Sequence, residues 1–270
     1  MSLPRGATWL RVSCSLSFDV ALPSPMVLML RPRSGPGQWV SSETYRLTPA
    51  VPVEEFTDGF GNLCQRLVAP VGRFDVSTSA DVLVSPSAPP PASAPFVEVP
   101  DLPDEALGYL LPSRYCESDR MGDLAQTIVA GAEPGMGQVS AITEWVRERV
   151  RYVPGSSGYP VSALEAVDRG EGVCRDLAQV SIALCRALCI PARLVVGYLH
   201  ELTPMDVHAW LEAYVGGRWH AFDPSTRSSA PRVTIANGRD ATDVALYNQF
   251  GPPLLPCAMG VGVEKLDDSP

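Results

Sequence analysis

Seven of the eighteen residues from 86 to 103 are proline, in PSAPPPASAPFVEVPDLP. Proline fixes φ and has no N–H, so this run suits neither a helix interior nor a central strand. It reads as a stiff extended linker. Hydrophobic periodicity differs on its two sides, which places a domain boundary there.

Residues 8–84 carry strand signals. LRVSCSLSFDVAL alternates over part of its length, and VLMLRPR is a short apolar run ended by Pro32. WVSSETYRLTP and LCQRLVAPVG follow, separated by the turn-rich DGFGN at 58–62. Short strands punctuated by Gly and Pro predict an all-β, sandwich-like domain over residues 1–85. Beyond the linker the period becomes helical. Met121, Leu124, Ala125, Ile128 and Val129 share one face, as do Val139, Ile142, Val146 and Val150. Ser162 with Glu165 three residues later marks a helix start that Gly170 can end. A longer helix is expected from about Cys174 to Leu188, then three strands: RLVVGYL, VHAWLEAYV and RWHAFDPS. The expected fold class is therefore α+β over 104–270, helices packed on an antiparallel sheet.

Composition narrows the function classes. A chain of 270 residues with 46% apolar content can bury a real core. Its net charge of −9 argues against a sequence-independent grip on nucleic acid, which needs clustered Lys and Arg. No run approaches the ~20 apolar residues of a membrane span. The start MSLPRGATWLRVSC lacks a secretory layout, so the expectation is a cytoplasmic protein with no membrane contact. Seven cysteines at scattered spacing do not suggest a disulfide scaffold.

Cys174 differs from the other six. It sits in GEGVCRDLAQ, a glycine-containing turn that runs into an apolar-periodic helix. Unpaired N–H groups and the helix dipole favour a thiolate there. The same groups could stabilise an oxyanion when the sulfur attacks a carbonyl. A hairpin supplies its partners. Gly216-Gly217 suits a two-residue turn, which sets Val215 opposite Arg218, Trp210 opposite Asp223 and His208 opposite Ser225. Side chains alternate, so His208, Trp210, Asp223 and Ser225 share one face, with His208 and Asp223 diagonal neighbours. A nucleophile, a base and an orienting carboxylate are what thiol catalysis needs. Trp210 packs or lines a substrate groove. His220 points to the other hairpin face, and His200 lies in a connection. Cys185 and Cys189 are four apart, but no second pair completes a zinc site. Arg239 and Asp240 suggest a structural ion pair.

GEGVCRDLAQVSIALCRALCIPARLVVGYL, DVHAWLEAYVGGRWHAFDPS and NGRDATDV together resemble the core of bacterial transglutaminase-like proteins. LLPSRY and WVRERVRYVPGSSG extend the resemblance upstream, and LRPR with DGFGN resembles the β-rich region that precedes that core. The resemblance implies a papain-like, transglutaminase-like fold. It implies Cys174 as nucleophile, His208 as general base and Asp223 as orienter, with no cofactor and no metal. This chain departs from the family pattern at Arg175, where Gln is usual, and at Cys189, where Gly is usual. The implied activity is a cysteine-dependent amide hydrolase or acyltransferase working through a thioester, with a peptide or protein amide as substrate. The resemblance favours water as the acyl acceptor. A non-catalytic binding module on the same fold is the competing reading, and a metal site using the three residues as ligands is a third.

Overall fold

The structure, a computed structural model, describes residues 6–86 and 91–267. Its first half is β1 (Thr8–Val20), β2 (Ser24–Leu28), β3 (Gln38–Thr48), β4 (Glu54–Thr57), β5 (Leu63–Ala69) and β6 (Gly72–Val84). The mixed half follows: α1 (Asp104–Leu107), α2 (Gly122–Ile128), α3 (Met136–Arg149), β7 (Arg151–Tyr152), α4 (Ala163–Arg169), β8 (Glu171–Gly172) and α5 (Cys174–Ala187). The last strands are β9 (Ala192–Leu199), β10 (His208–Val215), β11 (Arg218–Phe222), β12 (Arg232–Gly238), β13 (Tyr247–Gln249) and β14 (Ala258–Leu266). No helix among the described residues is long and apolar enough to cross a membrane.

Alternation in β1 builds the sandwich. Leu10, Val12, Cys14, Leu16, Phe18 and Val20 are all buried, and the residues between them face outward. Two four-stranded sheets result, ordered β14-β1-β6-β3 and β13-β2-β5-β4. Both include a strand from the C-terminal end, so the mixed unit does not keep all of 104–270. Residues 247–249 and 258–266 return to the sandwich. Without β14, the thirteen-residue β1 would present an open row of backbone donors and acceptors. Instead β14 pairs with it from Trp9↔Leu266 to Ser17↔Ala258. Gly260 and Gly262 make this approach possible, because a Cβ there would come within 2.8 Å of Ser15 Oγ and 2.7 Å of Ser13 Oγ. A glycine-spaced, half-exposed strand carries little apolar signal, which is why AMGVGVEKL does not read as one.

The proline-rich segment is docked where it is described; residues 87–90 lie outside the described residues. The Ala94 carbonyl accepts from Met136 N–H and the Pro95 carbonyl accepts from Gly216 N–H, both at 2.9 Å. The segment thus straps the start of α3 to the hairpin tip, more than a free linker would.

The mixed half carries a sheet of order β11-β10-β9-β12, one strand more than the sequence suggests. The long helix α5 packs on one face of it, against Leu194, Ala209, Leu211 and Ala213. Tyr198, Val233, Ile235 and Ala236 join the sandwich core on the other side. The edge strand β12 is closed by two amide side chains of the sandwich. Gln38 donates to Thr234 O and accepts from Thr234 N–H, each at 2.8 Å. Asn62 donates to Asn237 O at 2.8 Å and accepts from Asn237 N–H at 2.9 Å. Asp58 in DGFGN holds Asn62 in place through its amide and backbone N–H. Two side chains thereby do the work of a neighbouring strand.

The helix α5 is buried on nearly all sides, so its polar residues need internal partners. Gln179 bonds Val161 O and Ala241 N–H, and the Arg186 guanidinium takes the carbonyls of Ala192, Leu111 and Arg239. The helix closes with Ile190 N–H on Cys185 O and Cys189 N–H on Arg186 O. That closure puts Cys189 at φ 58, a left-handed position where glycine is normal. Replacing Cys189→Gly should therefore stabilise the protein by about 0.5–1 kcal/mol, since relief of strain exceeds glycine's unfolded-state entropy. Thermal unfolding of the two proteins checks it, and a lowered Tm would contradict it.

Candidate active site

Strands β7 and β8 pair in parallel, Tyr152 opposite Gly172, and deliver the chain into α5 at Cys174. Gly172 is required there, because a Cβ would fall 2.8 Å from Asp176 Cβ. Asp176 is fully buried and turned back, accepting from Val173 N–H at 3.0 Å and from the Ser157 hydroxyl. It caps the chain just ahead of the helix. The N–H groups of Cys174 and Arg175 open the first turn, where intrahelical acceptors are missing. Cys174 itself is partly exposed.

The hairpin register is the expected one, from Val215↔Arg218 to Leu211↔Phe222. Carried one step further, it sets Trp210 beside Asp223. His208 is 1% and Asp223 7% exposed, and the His208 Nε2–Asp223 Oδ2 distance is 2.7 Å. Nε2 is thus occupied. His208 Nδ1 is buried and has no hydrogen-bond partner among the described residues. Burial opposes charge on the ring, but the Asp223 carboxylate and then Cys174 outweigh it and raise the imidazole to about 9.

Asp223 is held from every side. Its Oδ1 accepts from Ser225 N–H at 3.0 Å, Ser225 Oγ at 2.7 Å and Thr226 N–H at 3.3 Å. Its Oδ2 accepts from Arg232 Nη2 at 3.0 Å as well as from His208. Arg147 Nη2 from α3 donates to the Asp223 carbonyl at 2.6 Å. Burial pushes this carboxyl up, yet His208 and Arg232 hold it below the usual carboxylate range.

Trp210 is only 2% exposed, so it does not line an open groove. Its ring lies 25° from the plane of His208 with centroids 6.2 Å apart, and the Arg232 guanidinium stands 5.5 Å from its centroid. It backs the imidazole. Tyr152 packs on the same apolar cluster as Cys174. Burial raises its hydroxyl, and Cys174, Asp206 and Asp223 lie near enough to add to the effect. Arg175 does not reach toward the site as a free cation. It bonds Asp176 Oδ1, Ser157 Oγ and Tyr159 O, and so ties the 157–159 loop to the helix start.

The other candidates fall elsewhere. His220 is buried beside Arg218, which with burial lowers it, and His200 lies at Glu201. Arg239 pairs with Asp243, four residues on, and not with Asp240. Asp240 turns inward and accepts from the Tyr115 and Thr242 N–H groups at 2.7 Å. Cys185 is buried inside α5 while Cys189 is exposed. Burial lifts the thiols of Cys14 and Cys64 to about 11 and of Cys116 and Cys185 to about 12. Arg232, Arg147, Tyr152 and Asp176 do not stand out in the sequence. For Asp176 a signal existed, an acidic residue in the first turn after the cysteine.

Comparison with known proteins places this arrangement. The transglutaminase-like superfamily matches residues 122–224, and the bacterial transglutaminase-like N-terminal region matches residues 20–84. A solved structure of a candidate cysteine protease from Cytophaga hutchinsonii is 34% identical, with TM-score 0.89 over 98% of this chain and 92% of that one. A protein of Mycobacterium leprae described as uncharacterised is 29% identical, covering 88% of each chain. One from Mycobacterium tuberculosis is 25% identical over 80% of this chain and 77% of its own. With its two regions in the same order and a whole-length relative of the same fold, the chain belongs to the bacterial transglutaminase-like family.

Proposed function

We propose that the protein is a cysteine-dependent amide hydrolase of the peptidase or amidase kind, with Cys174 as nucleophile, His208 as acid and base, and Asp223 as orienter. The observation that carries this reading is the divided imidazole of His208. One nitrogen is committed to Asp223 at 2.7 Å, the other is buried without a partner among the described residues, and Cys174 is near enough to raise the ring. A ring raised to about 9 is protonated at neutral pH, and Cys174 is among the groups that raise it. The sulfur attacks the amide carbon, and its electron pair moves onto the carbonyl oxygen, where the first N–H groups of α5 can receive it. His208 Nδ1 gives its proton to the departing amine or ammonia, leaving a thioester on Cys174. The neutral ring then takes a proton from water, whose oxygen attacks the thioester. The acid leaves, and the thiolate and imidazolium are restored. An amine in place of water would make the same enzyme an acyltransferase.

The ion pair sets a pH dependence. His208 is raised from 6.5 to about 9, so its contribution to stability is complete below 6.5 and fades as pH passes about 9. Asp223 is lowered from 3.8, so its contribution holds above 3.8 and is lost as pH falls through its folded value. Amide cleavage should therefore decline on the alkaline side with a midpoint near 9. An alkaline limb centred near 6.5 would mean that the ring is unpaired. The reading as a whole is tested by a screen of peptide and glutamine-amide substrates against the intact protein and Cys174→Ala. Turnover that survives in Cys174→Ala would overturn it.

A further inference from the structure

The sandwich contributes to the chemistry through β12. We propose that Arg232 is a positioning residue for His208 and Asp223, and that the Gln38 and Asn62 clamps on β12 hold it there. The proposal rests on the reading of Cys174, His208 and Asp223 as a catalytic set.

Three contacts converge on Arg232. Its Nη2 shares Asp223 Oδ2 with His208 Nε2, at 3.0 and 2.7 Å. The same nitrogen donates to Ser228 O at 3.2 Å, fixing the loop that carries Ser225. Its guanidinium faces the Trp210 ring, whose other neighbour is the imidazole. Arg232 therefore steadies His208 from two directions, through the carboxylate and through the indole. Its side chain is 13% exposed and its Nε is buried without a partner among the described residues, so this cation is not placed for solvation.

Charge explains why a second cation is needed. Asp223 alone would hold the imidazolium proton too tightly, and a proton held that way is slow to reach a leaving amine. Arg232 offsets part of the carboxylate charge and leaves the proton exchangeable. Asp223 after β11 and Cys174 on α5 act on His208 directly, and Arg232 on β12 reaches it through Asp223 and Trp210. Asp206 ahead of β10 is exposed and acts on Tyr152. Tyr152 on β7 and Arg147 on α3 lie behind these, beside Cys174 and Asp223. Among the described residues, Arg232 is the one cation that touches the shared carboxylate oxygen, since Arg147 meets the Asp223 carbonyl instead.

Position follows from the strand. β12 slips register between Thr234 and Ala236, and an edge strand with a bulge has no partner beyond it to fix its line. Gln38 clamps Thr234 and Asn62 clamps Asn237, one on either side of that irregularity. Arg232 begins the same strand, opposite Leu199. A family core that needs this strand held has a reason to carry the sandwich.

The chain has three histidines, so the His208 ring can be followed by nitrogen NMR in the intact protein. Arg232→Met should move its titration midpoint upward by about one pH unit, the usual effect of removing a charge at this range. Arg232→Lys should bring it back toward the wild-type value, and Gln38→Ala with Asn62→Ala should shift it in the same upward direction. Acyl-enzyme formation with p-nitrophenyl acetate should slow in parallel. A midpoint unmoved or lowered in Arg232→Met overturns the assignment, and an unmoved midpoint in the clamp variant overturns the part given to the sandwich. If Arg232→Met does not fold, Arg232→Gln is read in the same way. Alkylation of wild-type Cys174 tests the catalytic reading separately, so either idea can fail alone.

Discussion

Replacing His208→Ala is expected to lower acyl transfer by about a thousandfold or more, with the fold retained. In the proposed mechanism the ring supplies both the proton for the leaving group and the cation beside the sulfur, and no other histidine is placed to substitute. His220 lies beside Arg218, and His200 sits at Glu201. Asp223→Ala should cost less in rate than His208→Ala, because it misorients the base without deleting it. It should cost more in stability, because it strips the partner from His208, Arg232, Ser225 and Thr226 together. Steady-state rates on an activated ester, with thermal unfolding of each variant, separate the two effects. Equal loss of rate in both variants would point to a single structural collapse.

Gly197→Ala is expected to be the most damaging single methyl group in the mixed half, at about 3 kcal/mol or more. Gly197 lies in β9 between His208 of β10 and Thr234 of β12. A Cβ there would stand 2.0 Å from the Val233 carbonyl oxygen and 3.0 Å from Trp210 Cη2. A backbone oxygen in a paired strand cannot move aside without loosening β12, and the indole cannot move without displacing the imidazole. Poor soluble yield or a fall in Tm of about 6 °C or more would be the signature. A variant as stable as the wild type would contradict the close approach. Any folded fraction should also react slowly, since Arg232 rides on the displaced strand.

Much of the site is legible in the sequence because its parts are local. A two-glycine turn fixes a hairpin register, and alternation then decides which side chains meet. The cysteine advertises itself through the turn and helix around it. Even the strained Cys189 follows from a helix that must end in a left-handed residue. Long-range pairings are less legible. β14 is glycine-spaced and half exposed, so nothing in AMGVGVEKL announces that it closes the sheet beside β1. β12 is an edge strand whose partners are amide side chains about 175 to 196 residues away, and no periodicity encodes them. Arg232 went unread with it. Trp210 could pack or line a groove on sequence grounds, and only its burial against His208 decides.

The proposed chemistry turns on the sulfur of Cys174. Four of the other six cysteines are buried, while Cys189 and Cys257 are exposed and serve as internal references, the second with Arg73 Nη1 donating to its sulfur at 2.9 Å. An ordinary exposed thiol is only about 0.3% thiolate at pH 6. A sulfur paired with protonated His208 should be alkylated there faster by about tenfold or more. The direct measurement is iodoacetamide labelling at pH 6 with peptide mapping, run on the wild type and His208→Ala. Cys174 should be modified well ahead of Cys189 and Cys257, and His208→Ala should remove this lead. Labelling of Cys174 no faster than the two reference thiols, or a lead that survives in His208→Ala, would contradict the proposed chemistry.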